Sequence, residues 1–112
     1  MLTSGDVVEV DLGLPVGSEA GLVRPAIVVT AQRVLTQGPN VVHIVPLTRT
    51  LRGYTTEVVV LADATSGLHA DSAAQCQHVR AVATSRIRNT VGNVGPSALA
   101  QIRETIAVLL DM

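Results

Sequence analysis

Short valine- and isoleucine-rich runs, separated by glycine, proline and polar residues, restrict this chain to a small β-rich fold. Ala26-Ile27-Val28-Val29 and Val41-Val42-His43-Ile44-Val45-Pro46-Leu47 are the most apolar of them. Neither approaches the roughly 20 residues a membrane helix needs, and β-branched runs of this length favour strands. Val7–Leu12 alternates and reads as a half-buried first strand. A long, mobile loop is expected over Gly13–Gly21, which carries Pro15, Gly17 and Gly21. Pro25–Thr30 reads as a strand buried on both faces, Ala31–Gly38 as a short helix, and Val41–Thr48 as a third strand. After a polar loop, Arg49–Thr56, the pattern gives strands over Glu57–Leu61, Ser72–Ala83 (with a bulge) and Val91–Val94, and one helical turn over Thr84–Asn89. Short strands at this spacing imply a small barrel or sandwich. The end differs: Leu99, Ile102, Ile106, Leu109 and Leu110 share a helical face behind Pro96, which suits a first helical turn. The expected class is therefore α+β, mainly β, with a closing helix of about four turns, in one domain spanning 1–112.

Composition narrows the function classes. One aromatic, Tyr54, among 47% hydrophobic residues means a core of Val, Leu, Ile and Ala. The single cysteine, Cys76, excludes an internal disulfide. With no basic segment before an apolar stretch, the expected location is the cytoplasm. A net charge of −1 argues against avid nucleic-acid binding by charge alone. All eight basic residues are nonetheless arginine, whose planar fork suits bidentate phosphate contact. Arg24, Arg33, Arg49 and Arg52 fall in an acid-free stretch between Glu19 and Glu57; Arg80, Arg86, Arg88 and Arg103 fall in another, between Asp71 and Glu104.

Arg24 stands where the glycine loop meets a buried strand, and Pro25 restricts it to extended conformations. Thr48 ends another buried strand on a hydroxyl. Metal-free RNA cleavage needs a base for the 2′-OH, an acid for the leaving oxygen and a cation for the charge on phosphorus. Arg24 fits the last role. His43, His69 and His78 are too scattered for a metal site, and Cys76 has no companion for structural zinc. His78 and Arg80, two apart, would share a strand face, and an imidazole is a good general acid or base. No phosphate-binding glycine motif, nucleophilic triad or dinucleotide fingerprint is present.

In order and at family spacing, Gly5-Asp6-Val7, Asp11-Leu12, Gly17-Ser18-Glu19, Val23-Arg24-Pro25-Ala26-Ile27-Val28-Val29, Val45-Pro46-Leu47-Thr48, Asp71-Ser72 and Val79-Arg80-Ala81-Val82-Ala83 resemble the MazF/PemK toxin endoribonucleases. The resemblance implies an SH3-like barrel with a C-terminal helix, acting as a homodimer. It implies metal-independent, sequence-specific cleavage of single-stranded RNA to a 2′,3′-cyclic phosphate and a 5′-hydroxyl, with no cofactor. It also implies a cognate MazE-like antitoxin that blocks the RNA groove with an extended acidic segment. Carried over, the catalytic residues are Arg24 and Thr48. The expected substrate contacts are Gly17, Ser18 and Glu19 in a gating loop, then Arg49, Gln77, His78 and Arg80. In the PemK branch a histidine follows the loop glycine and an Arg-Cys-Asp triplet supplies catalysis. Here Ser18 and Gln75-Cys76-Gln77 stand in those places, so that acid–base pair is missing. Two other classes compete. A gyrase-poisoning toxin of the same superfold depends on a C-terminal aromatic, whereas this chain ends Leu109-Leu110-Asp111-Met112. A non-catalytic RNA-binding barrel needs aromatic stacking platforms, and only Tyr54 is available.

Overall fold

Successive side chains of a strand point to opposite faces, and here both faces are covered. The computed structural model describes residues 1–112. Its strands are β1 (Asp6–Asp11), β2 (Val23–Val28), β3 (Val41–Thr48), β4 (Glu57–Val60), β5 (Ser72–Gln75), β6 (Arg80–Ala83) and β7 (Ile87–Asn93). Its helices are α1 (Gln32–Leu35) and α2 (Gly95–Leu109). Every strand pair is antiparallel, in the order β4-β5-β3-β2-β1-β7, and β6 also pairs with β3.

Val8, Val10, Ala26, Val28, Val42 and Ile44 point to one side of β1–β2–β3, where Leu35 of α1 and Val82 of β6 join them. Val7, Ile27, Val45 and Leu47 point to the other side, where Val60, Ala74, Cys76 and Ile102 of α2 close over them. The α+β class with a closing C-terminal helix is thus the one observed. The half-buried first strand is corrected: Val7, Val8 and Val10 are all fully buried, because β1 has a core on each side. The expected doubly buried strand is confirmed at Ala26, Ile27 and Val28.

The expected strand over Ser72–Ala83 is two strands. A one-turn 3-10 helix, Cys76–His78, interrupts it. Consequently β5 pairs with Leu47 and Thr48 of β3, whereas β6 pairs with Val41–Ile44. The interruption lets one stretch of chain serve two parts of a bending β3. A second one-turn helix, Thr84–Arg86, leads into β7, which is longer than the expected Val91–Val94.

Helix α2 starts at Gly95 with Pro96 in its first turn and runs 15 residues, about four turns. Leu99 and Ile102 are buried and Ile106 packs at the margin. Leu109 and Leu110, expected on the packed face, are exposed; Leu110 borders an open, largely apolar recess with Val29, Val34 and Ile106 instead of entering the core. Arg103 fastens α2 to the end of β2, donating to the carbonyls of Val29 (3.1 Å) and Thr30 (3.3 Å) and to Ser4 Oγ (3.2 Å). No helix is long and apolar enough to cross a membrane.

Candidate active site

The β1–β2 loop is tied at its base. Leu22 N–H donates to Gly13 O at 2.6 Å, and Leu12 N–H donates to Leu22 O at 2.9 Å. Arg24 follows, second in β2 and opposite Val10 of β1. Its Nε donates to Gly21 O at 3.2 Å and its Nη1 to Gln75 Oε1 at 3.4 Å. Gly21 is required by close packing: a Cβ there would lie 2.6 Å from Pro15 Cδ. The half-buried guanidinium is therefore aimed by a loop carbonyl on one side and a β5 amide on the other.

Arg24 also lines a cleft of about 310 Å³ formed by the start of β2, the end of β3, the start of β5 and the connection before it. Thr48 and Arg49 line it, as do Glu9 of β1, His69 of the connection and Ser72 of β5. Thr48 Oγ1 accepts from Thr50 N–H at 3.2 Å. Its own hydroxyl proton is then directed elsewhere and can be given to an anionic oxygen. Asn89 Nδ2 donates to Glu9 Oε1 at 2.9 Å.

The connection carrying His69 is held tightly for a loop. Asp63 Oδ1 accepts from the N–H groups of Thr65 (2.9 Å) and Ser66 (2.7 Å), and Ser66 Oγ donates to Leu61 O at 2.9 Å. Gly67 has φ +70°, and a Cβ on it would lie 2.1 Å from Val91 O. A Cβ on Gly92 of β7 would lie 2.3 Å from Ser66 O. The connection is thus pressed onto the β7 backbone, and only glycine fits at the contact.

Arg24, Thr48 and Arg49 are therefore brought together. Glu19, Gln77, His78 and Arg80 are not in this cleft; they border a separate recess beside the β1–β2 loop. Arg80 donates to Leu12 O at 3.4 Å there. His78 closes the 3-10 turn rather than standing in a strand with Arg80, so the shared strand face is corrected, although the recess still joins them. Gly17 and Ser18 are exposed in the loop and line neither space. Glu9, His69 and Gln75 escaped the sequence reading as site residues. Glu9 is one of several polar residues on a strand, and its approach to the cleft depends on a β1–β2 register no local pattern encodes.

Behind the site, Glu57 is 3% exposed at its side chain and pairs with Arg52. Gln77 Nε2 also donates to it at 2.7 Å. Burial pushes the Glu57 carboxyl up, but the hydrogen bonds from Gln77 and Arg52, together with the Arg52 charge, outweigh burial and hold it below its usual value of 4.5. Arg52 in turn lies 4.5 Å over the Tyr54 ring. Burial raises the Cys76 thiol to about 11, which keeps it protonated and inert. No three His, Cys, Asp or Glu side chains converge as metal ligands.

An antiparallel sheet with a core on each face, a closing helix and a cleft lined by Arg24 and Thr48 defines a small, mainly β domain with one polar cleft at the ends of β2 and β3. The chain belongs to the family described as PemK-like, MazF-like toxin of type II toxin-antitoxin system, which matches residues 3–110. It is 34% identical over 116 residues to endoribonuclease MazF9 of Mycobacterium tuberculosis, covering 100% of this chain and 98% of that protein. Its fold matches MazF from Deinococcus radiodurans with a TM-score of 0.81 at 24% identity, over 97% of this chain and 96% of the other. It also matches a mycobacterial endoribonuclease solved with its cognate antitoxin, with a TM-score of 0.76 at 19% identity, over 100% and 97% of the two chains.

Proposed function

We propose that the Arg24–Thr48 cleft is the RNA-cleaving centre of this toxin, and that the chain is a metal-independent, sequence-specific endoribonuclease acting on single-stranded RNA in the cytoplasm. The observation that carries this is that Arg24, whose guanidinium is held by Gly21 O and Gln75, and Thr48 both line one open cleft. In the transition state the phosphorane carries extra negative charge, and preorganised donors aimed at it are the main source of rate. Arg24 supplies two N–H donors and a fixed charge. Thr48 donates to a non-bridging oxygen, and Arg49 pairs with a neighbouring phosphate. The 2′-oxygen attacks, the bond to the 5′-oxygen breaks, and the products are a 2′,3′-cyclic phosphate and a 5′-hydroxyl.

Family membership and a full-length relative named as an endoribonuclease support this over gyrase poisoning or passive RNA binding. A partner follows by the same route. An extended acidic segment of a cognate antitoxin would fill the cleft, competing with RNA for Arg24 and Arg49, and the active unit would be a homodimer. The test is to map the 5′ ends produced from a defined transcript in the presence of EDTA. Cuts at one short motif, bearing 5′-hydroxyls and absent with Arg24→Ala and Thr48→Ala, are expected. Cleavage by either variant at the parental rate would overturn the site.

A further inference from the structure

Arg24 is held without a carboxylate. Its acceptors are Gly21 O and Gln75 Oε1, both neutral, so the guanidinium is oriented while its charge is left for a phosphate. An acidic partner would orient it as well, but would offset that charge. A neutral amide brings a difficulty of its own. It has an accepting end and a donating end of nearly the same shape, and only the accepting end suits a guanidinium, which has donors and no acceptor. Something behind Gln75 must fix which end faces Arg24.

The strand register places a candidate there. Arg24 shares a face with Ala26, which is opposite Pro46 of β3. Gln75 follows Ala74, which is opposite Leu47, so Gln75 shares the face of Pro46. Glu57 of β4 is directly opposite Gln75. Opposed residues point the same way, so Glu57, Gln75 and Arg24 project from one side of the sheet, across a fully buried Pro46. Resting on the assignment of the Arg24–Thr48 cleft as the RNA-cleaving centre, we propose that Glu57 is a positioning residue for Arg24 that acts through Gln75, in a carboxylate–amide–guanidinium relay from β4 over β5 to β2.

A carboxylate only accepts and a guanidinium only donates. An amide between them therefore has one consistent orientation, Nε2 toward Glu57 and Oε1 toward Arg24. Glu57 is itself firmly held, its Oε2 accepting from Gln77 at 2.7 Å and from Arg52. Its Oε1 is buried with no partner at hydrogen-bond distance, so the carboxylate has accepting capacity left. The Gln75 amide is the last and smallest of the hydrogen bonds that hold the Glu57 carboxyl down. That contact is long, and it orients the amide more than it binds it. Gln75 is buried, so water has little access to take over the task. The relay also keeps the negative charge of Glu57 two links away from the phosphate.

Single-turnover cleavage, and binding of an oligonucleotide with a 2′-deoxy sugar at the cut, test the relay. The proteins are the parent, Gln75→Met, Glu57→Gln and the double variant, each read below its melting temperature. Methionine fills the volume of glutamine with neither end of the amide. Gln75→Met should cut about 10- to 100-fold more slowly, the usual loss when an orienting partner is removed. Its RNA affinity should hold, since Arg24 keeps its charge and loses only the alignment used in the transition state. Glu57→Gln offers the amide a donor as well as an acceptor, and should lose part of the same factor. The double variant should be no slower than Gln75→Met, because Glu57 then has no amide to orient. Losses that multiply in the double variant, a Glu57→Gln protein that melts lower but cuts at the parental rate, or Gln75→Met at the parental rate would each overturn the relay and leave the Arg24–Thr48 cleft standing. The Glu57→Gln rate decides alone if Gln75→Met does not fold. A parental chain that cut no RNA at all would overturn the function beneath it instead.

Discussion

Guanidinium geometry, more than charge, is what the site uses at Arg24. Two different nitrogens are engaged, Nε by Gly21 O and Nη1 by Gln75 Oε1, so the fork is oriented before any phosphate arrives. A lysine keeps the charge and loses the fork. Arg24→Lys should therefore fold normally yet lower kcat by about 100- to 1,000-fold, the scale of losing an aimed transition-state donor, in a single-turnover assay. Glu57 illustrates the opposite use of charge. Its carboxyl is held below 4.5 by Gln77 and Arg52 against the effect of burial. A carboxyl lowered in the folded state stabilises the protein above its unfolded pKa and loses that contribution as pH falls through the folded value. The melting temperature should thus begin to drop as pH falls below 4.5, and Glu57→Gln should flatten that drop while lowering stability near neutrality. A scanning calorimetry series from pH 3 to 7 on both proteins checks it; parallel curves would refute the role given to Glu57.

At the scale of elements, α2 is attached through few side chains. Ile102 alone is fully buried among Val7, Ile27, Val45 and Cys76. Ile102→Ala should cost about 2–5 kcal/mol, the usual penalty for emptying a core site of this size, measured by urea unfolding. Such a loss is a large part of the whole stability of a domain this size. The helix and most strands were legible in the sequence because periodicity and punctuation are local: Pro96 with Leu99, Ile102 and Ile106 announces α2, and Val41–Thr48 announces β3. Burial of β1 on both faces was not legible, since it depends on α2 and α1 covering opposite sides of one sheet. The break between β5 and β6 was hidden because Gln75-Cys76-Gln77-His78 carries no glycine or proline to mark it. The site divided in the same way. Arg24 and Thr48 sit at strand ends that local pattern locates, whereas Glu9 and His69 reach the cleft through the β1–β2 register and the seating of Gly67 on β7. Gly67→Ala meets both a positive φ and a backbone oxygen. It should destabilise the fold by at least about 1–3 kcal/mol and displace His69 with it.

For the whole molecule, the question is how a chain of net charge −1 binds a polyanion. Most of its arginines are occupied by the protein itself. Arg52 pairs with Glu57, Arg88 with Asp11, and Arg80, Arg86 and Arg103 donate to backbone carbonyls. Arg24 and Arg49 are the cations that line the cleft, and Glu9 lines it too. Binding should consequently be local and only weakly dependent on salt. Each phosphate neutralised on a single strand contributes about 0.7 to the slope of log affinity against log salt. Two contacts give a slope of about −1.4 for an oligonucleotide made uncleavable by a 2′-deoxy substitution at the scissile position. Arg49→Ala should bring that slope to about −0.7, without the loss of chemistry expected for Arg24→Ala. Fluorescence anisotropy across a salt series reads both values. A parental slope of about −4 or steeper would mean a broad basic surface rather than a two-arginine cleft, and the compact binding mode argued from Arg24 and Arg49 would have to be abandoned.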